Sequence, residues 1–173
     1  IANPPYMGVK GMNTKMIDFL KKNYSEVKSD LFAAFIVRNT KLALDKGQLG
    51  FMTPNVWMYI SSYEKLRIFL TEQFSINNLV ELPLTGFKGA TVQICAFNIN
   101  CSIENTANFI RLVDFRGGDD DMARYTINAV KNNNCGWFYK IESKDFEAIP
   151  GSPIAYWLTR DLRNCFKKFP LIN

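Results

Sequence analysis

At 173 residues and 47% hydrophobic content, the chain has the length and apolar mass of one ordinary domain with a real core. A net charge of +5 and a pI near 9.0 suit a polyanionic partner without requiring one, and no apolar run is long enough to cross a membrane. There is no histidine, and Cys95, Cys101, Cys135 and Cys165 lack the close paired spacing of a zinc site, which excludes Ser-His and Cys-His catalysis and His-ligated metals from this segment.

The chain opens on Ile1-Ala2-Asn3-Pro4-Pro5-Tyr6. The prolines fix φ, remove two backbone donors and hold the residue before each in an extended shape. The result is a stiff loop presenting an amide side chain, free carbonyl oxygens and a ring face together. Such a loop suits a flat substrate that carries an amino group. The Asn3 oxygen and the Pro4 carbonyl hold the two amine hydrogens, Pro5 stiffens the loop, and Tyr6 stacks on the ring. Two preorganised acceptors favour the pyramidal, charge-bearing transition state over the flat amine. The simpler reading is a proline turn after a strand. Residue 1 already reads as the end of a strand and is not Met, so the chain is expected to be a piece of a longer protein.

Residues 7–11 are glycine-bearing, and a short helix is expected over 14–23. Ser29 or Asp30 caps a longer helix through Lys46, with Leu31, Phe35, Val37, Ala43 and Leu44 as its apolar stripe and Gly47 at its end. Residues 48–54 read as a buried strand, 63–73 as an amphipathic helix, and 76–82 and 91–99 as two more strands. Between these strands lies Gly86-Phe87-Lys88-Gly89. A loop over 101–108 leads to a strand over 109–115. The acidic run Asp119-Asp120-Asp121 opens a helix to Lys131, metal binding being its less simple reading. A short strand at 137–141 follows, then a final strand and helix over 154–168. Strands alternating with helices to about residue 83 predict a parallel α/β sheet with the Asn3 loop at its carboxyl edge.

Asn3-Pro4-Pro5-Tyr6, Asp30-Leu31-Phe32-Ala33-Ala34-Phe35, Gly50-Phe51-Met52-Thr53-Pro54 with Trp57, and Gly86-Phe87-Lys88-Gly89-Ala90-Thr91 occur in that order over residues 1–100. Together they resemble the adenine-N6 DNA methyltransferases of the N-P-P-Y subclass, above all the phage-exclusion (BREX) type and restriction–modification fusions. The resemblance implies the C-terminal half of a Rossmann-like sheet that uses S-adenosylmethionine. Residues 1–100 would be the catalytic half, and 101–173 the end of the sheet and a mixed α+β passage into a target-recognition region. Asn3, Pro4, Pro5 and Tyr6 match its catalytic motif, Phe87 its second base-facing ring, and Leu31 and Phe35, with Asn3, its cofactor border.

The family's glycine-rich cofactor turn and ribose-binding acid precede the catalytic motif and do not occur here, so most cofactor contacts, and activity, are expected to need residues outside this segment. Lys10, Lys15 and Lys88 flank the two loops and are placed to touch phosphates, or else are plain surface lysines. Trp137, Tyr156 and Trp157 are read as packing residues. The implied partners are DNA, S-adenosylmethionine and other restriction or phage-defence subunits, in the cytoplasm and with no membrane. Methylation of an RNA base or a protein glutamine fits the same acceptor logic, and a non-catalytic DNA-binding or complex-forming module is the reading from another class.

Overall fold

Two short polar side chains start the first helices. The computed structural model, which describes residues 1–86, 91–102, 104 and 106–168, holds Asn13 and Asp30 in extended backbone. Their side chains accept from Met16 N at 2.9 Å and from Phe32 N at 3.3 Å, satisfying donors that a helix leaves orphaned. They open α1 (Thr14–Asn23) and α2 (Leu31–Thr40). The first has the expected span. The second ends six residues short of the expected Lys46, because Leu42 and Leu44 are 61% and 84% exposed and no core lies beneath them to carry the helix on. The chain turns instead, Lys46 takes a left-handed φ of 61°, and a Cβ on Gly47 would come within 2.8 Å of the Leu44 carbonyl oxygen. The buried face of α2 is Phe32, Ala33, Ala34, Ile36 and Thr40, not the expected stripe, so Phe35 stays exposed and Leu31 half-buried.

β1 (Gln48–Pro54) is followed by α3 (Glu64–Gln73), β2 (Ser75–Glu81), β3 (Ile94–Asn100), β4 (Thr106–Arg111), α4 (Asp119–Lys131), β5 (Phe138–Glu142) and α5 (Arg160–Lys168). The five strands form one sheet in the order β1-β3-β2-β4-β5. The Ala2 segment, β1 and β2 run in one direction, as expected of the strands to about residue 83, and the later strands make the sheet mixed. β2 and β4 are parallel, whereas β3 runs antiparallel to both β1 and β2, and β5 antiparallel to β4. Residues 82–93 are too short a connection for a crossover helix, so β3 turns back and inserts between β1 and β2. Ala2 bridges Phe51 in parallel on the free side of β1, donating to Gly50 O at 2.8 Å and accepting from Met52 N at 3.1 Å. The ends of the Ala2 segment, β1, β2 and β4 therefore share one edge of the sheet, where open α/β sheets bind ligands.

Side chains alternate between the two faces. Phe51, Leu79, Cys95, Phe97, Ile99 and Phe109 point to the face covered by α1, α2 and α3, in a core that also takes in Phe146, Ile154 and Tyr156. Leu82, Ile94, Ile110 and Leu112 point to the other, where Met122 and Ala129 of α4 pack. β4 and β5 thus extend the sheet that β1 to β3 begin. No strand forms at 154: Ile154–Tyr156 crosses the first face as irregular, buried chain, with Ile154 N donating to Met58 O at 2.8 Å. All four cysteines are free. Among the described residues no helix is long and apolar enough to cross a membrane.

Candidate functional site

Ala2 is tied to β1 on both its N–H and its carbonyl, so the chain enters the proline loop from a fixed point. Pro4 is buried; Asn3, Pro5 and Tyr6 are exposed. The Tyr6 hydroxyl lies 3.0 Å from Asn3 Oδ1 and 3.2 Å from the Met52 carbonyl oxygen, donating toward both. The ring rests edge-on against Phe32, centroids 6.5 Å apart, and 40% of the residue is open to solvent. Burial pushes the hydroxyl above the usual tyrosine range, with Cys95 adding to the effect, so it remains a donor. Among the described residues the Pro4 carbonyl accepts no backbone hydrogen bond.

Asp30 holds the far side of this loop. Its carboxylate takes Met7 N at 3.1 Å as well as Phe32 N, while Leu31 N donates to Met7 O and Val9 N to Ser29 O. Burial raises the Asp30 carboxyl above its ordinary range, against the pull of the backbone N–H groups it accepts. One residue thus starts α2 and fixes the exit of the loop.

Leu31 and Phe35, four residues apart, share a face of α2 beside the loop. Asn3 also lines an open, mostly apolar cleft of about 480 Å³ with Ile1, Ala2, Met52, Val80 and Asn98, which neither Leu31 nor Phe35 lines. Lys10 and Lys15 are exposed, on the turn before α1 and in its first turn. Phe87 and Lys88 lie outside the described residues. Asp119–Asp121 opens α4, with Gly118 N donating to Asp121 Oδ2 at 3.2 Å. Among the described residues no cluster of three or more His, Cys, Asp or Glu is placed to hold a metal.

Sequence reasoning missed a second polar cluster on the same edge. Glu81, at the end of β2 and 3% exposed, accepts from Asn55 Nδ2 at 2.7 Å, the Tyr59 hydroxyl at 2.8 Å and the Tyr156 hydroxyl at 2.6 Å. Burial first, and Glu81 second, push both tyrosines far above their usual range. Arg67, 1% exposed, donates to the carbonyls of Trp57, Ile60, Gly151 and Ser152. A single charge flanked by apolar residues, as in Leu79-Val80-Glu81-Leu82 and Leu66-Arg67-Ile68, is the signal that marks both.

A family model described as Eco57I restriction-modification methylase matches residues 1–87. The adenine-specific methyltransferase BrxX of Escherichia coli O9:H4 (strain HS) is 38% identical over 176 residues, covering 100% of this chain and 14% of that protein. The adenine-specific methyltransferase PglX of Lacticaseibacillus casei (strain Zhang) is 35% identical over 167 residues, covering 92% of this chain and 14% of that protein. The chain therefore spans about one seventh of the length of these relatives. In fold, it is similar to the type I restriction-modification system methyltransferase subunit from Streptococcus thermophilus, with a TM-score of 0.67 and 16% identity over 89% of this chain and 36% of that one.

Proposed function

Because the chain belongs to the Eco57I restriction-modification methylase family, we propose that it forms the methyl-acceptor side of an adenine-specific DNA methyltransferase working in restriction–modification or phage defence. The observation that carries this reading is the exposed Asn3 amide, whose Oδ1 accepts from the Tyr6 hydroxyl at 3.0 Å, on the carboxyl edge of the sheet. Asn3 Oδ1 and the Pro4 carbonyl accept from the N6 amine of an extruded adenine. As the nitrogen turns pyramidal and gains positive charge, both acceptors strengthen, which lowers the barrier rather than merely holding substrate. The Tyr6 ring holds one face of the base, and Phe87 the other. Stacking of about 1–3 kcal/mol per ring compares with the few kcal/mol needed to unstack a base.

Half-buried Leu31 and exposed Phe35, on one face of α2 beside the loop, fit one apolar wall for the adenine of S-adenosylmethionine, with Asn3 at its methyl end. That cofactor supplies an electrophilic methyl group when bound. Lys10, Lys15 and Lys88 neutralise phosphates flanking the extruded base. The setting is cytoplasmic, and further restriction or phage-defence subunits are the expected protein partners.

The test uses the full-length protein and labelled S-adenosylmethionine, offered duplex DNA, RNA and a protein mixture side by side. Label is expected in DNA at N6-methyladenine; label in RNA or in a protein glutamine, with none in DNA, overturns the substrate assignment. Asn3→Ala is expected to lower the methylation rate about 100-fold or more while DNA affinity stays within a few-fold. Wild-type methylation by that variant removes Asn3 from the chemistry.

A further inference from the structure

In a parallel pair, the donor that would follow Ala2 N and Met52 N along the ladder is the N–H of the residue two past Ala2, and its acceptor would be the Met52 carbonyl. That residue is Pro4, which has no N–H. The strand alternation turns Met52 O toward the Asn3 loop and away from β3, so the proline leaves it without a backbone donor. The Tyr6 hydroxyl reaches it at 3.2 Å across 46 residues of sequence, and the same hydroxyl is 3.0 Å from Asn3 Oδ1. One hydrogen therefore faces two acceptors.

We propose that the Tyr6 hydroxyl is a positioning group for Asn3, and that its hydrogen bond moves from Asn3 Oδ1 to the Met52 carbonyl when a substrate amine arrives. With no substrate, the hydroxyl holds the carboxamide in one of its two flips, oxygen toward the ring edge. An amide oxygen that already carries a donor is a weaker acceptor for a second one. Rotation about the C–O bond of Tyr6 turns the hydrogen onto Met52 O, which the missing proline donor keeps free, and restores the full acceptor strength of Asn3 Oδ1. The ring need not move, so stacking and hydrogen-bond switching are separable. In this arrangement Pro4 has a task beyond stiffness: it deletes the donor that would otherwise saturate Met52 O.

This inference rests on the reading of Asn3 as an amine acceptor. Its test is a double-mutant cycle in the full-length protein with Asn3→Ala, Tyr6→Phe and the double variant. Single-turnover methylation, duplex-DNA affinity and the fluorescence of 2-aminopurine at the target position are followed in each. Tyr6→Phe keeps the ring, so DNA affinity and the 2-aminopurine signal are expected to stay within about twofold, while the methylation rate falls about tenfold, the scale of one hydrogen bond. In the Asn3→Ala background the same change is expected to alter the rate less than about twofold, because nothing is left to position.

A wild-type rate for Tyr6→Phe, with Asn3→Ala strongly impaired, overturns the inference and leaves the catalytic reading standing. An equal loss from Tyr6→Phe in both backgrounds, or a fall in DNA affinity and base extrusion matching the fall in rate, also overturns it, since a merely structural hydroxyl behaves that way. A wild-type rate for Asn3→Ala overturns the reading itself.

Discussion

Burial pushes the Cys95 thiol up to about 12, although Thr53 and Trp57 beside it pull it the other way. At pH 8 only about one such thiol in 10,000 is the reactive thiolate, whereas Cys165 is exposed. Brief iodoacetamide treatment of the folded protein at pH 8 is therefore expected to label Cys165 and spare Cys95, as read by peptide mass spectrometry; equal labelling contradicts the burial of β3. Residue chemistry of this kind is partly legible in sequence. Asn3-Pro4-Pro5-Tyr6 announces a stiff acceptor loop because its properties are covalent, and Asp30 announces a helix start because capping is local. The partner of the Tyr6 hydroxyl is not legible, because Met52 O lies 46 residues away and becomes available only through the parallel register of Ala2. Glu81 is hidden for a similar reason. Its three donors come from the turn after β1 and from residue 156, and only the folded sheet brings them together.

At the scale of elements, α2 depends on Asp30 for both its first turn and its attachment to the loop. Asp30→Ala leaves Met7 N and Phe32 N without their acceptor. The expected cost is about 1–2 kcal/mol, seen as an earlier urea midpoint, and under the proposed function the full-length variant loses more methylation than helix content. Asp30→Asn keeps a capping oxygen and is expected to recover most of the stability. The spans of α1, α4 and β1 follow directly from sequence, since caps and a proline punctuate them. The end of α2 does not, because Lys41 to Asp45 have fair helix propensity and only the absence of a core beneath Leu42 and Leu44 stops them. Strand direction escapes for a different reason. The apolar alternation of β2 and β3 is the same read in either direction, and only the short 82–93 connection argues for reversal.

At the scale of the whole molecule, Arg67 and Glu81 fasten the Gly151 to Tyr156 segment across the face that carries α3. Glu81→Ala strands the buried Tyr156 hydroxyl and takes an acceptor from half-buried Tyr59 and from Asn55, which keeps Gln93 Oε1 at 3.4 Å, for about 3 kcal/mol. Guanidinium unfolding of the variant is expected to begin at markedly lower denaturant, and Glu81→Gln to restore part of the difference; an unchanged midpoint rules out this fastening. The strand order has a further consequence, for the nascent chain. β1 and β2 are both made before β3, yet each needs β3 as its neighbour. At about 10 residues per second on a ribosome, Asn100 follows Glu81 by about 2 seconds. Through that interval neither β1 nor β2 has the β3 partner that pairs with both, and the β4 neighbour of β2 is also still to come. The Asn3 loop can thus dock on β1 through the Ala2 bridge before β3 arrives, while the edge of β2 stays open to chaperones or to a second ribosome's product until β3 slides into the gap.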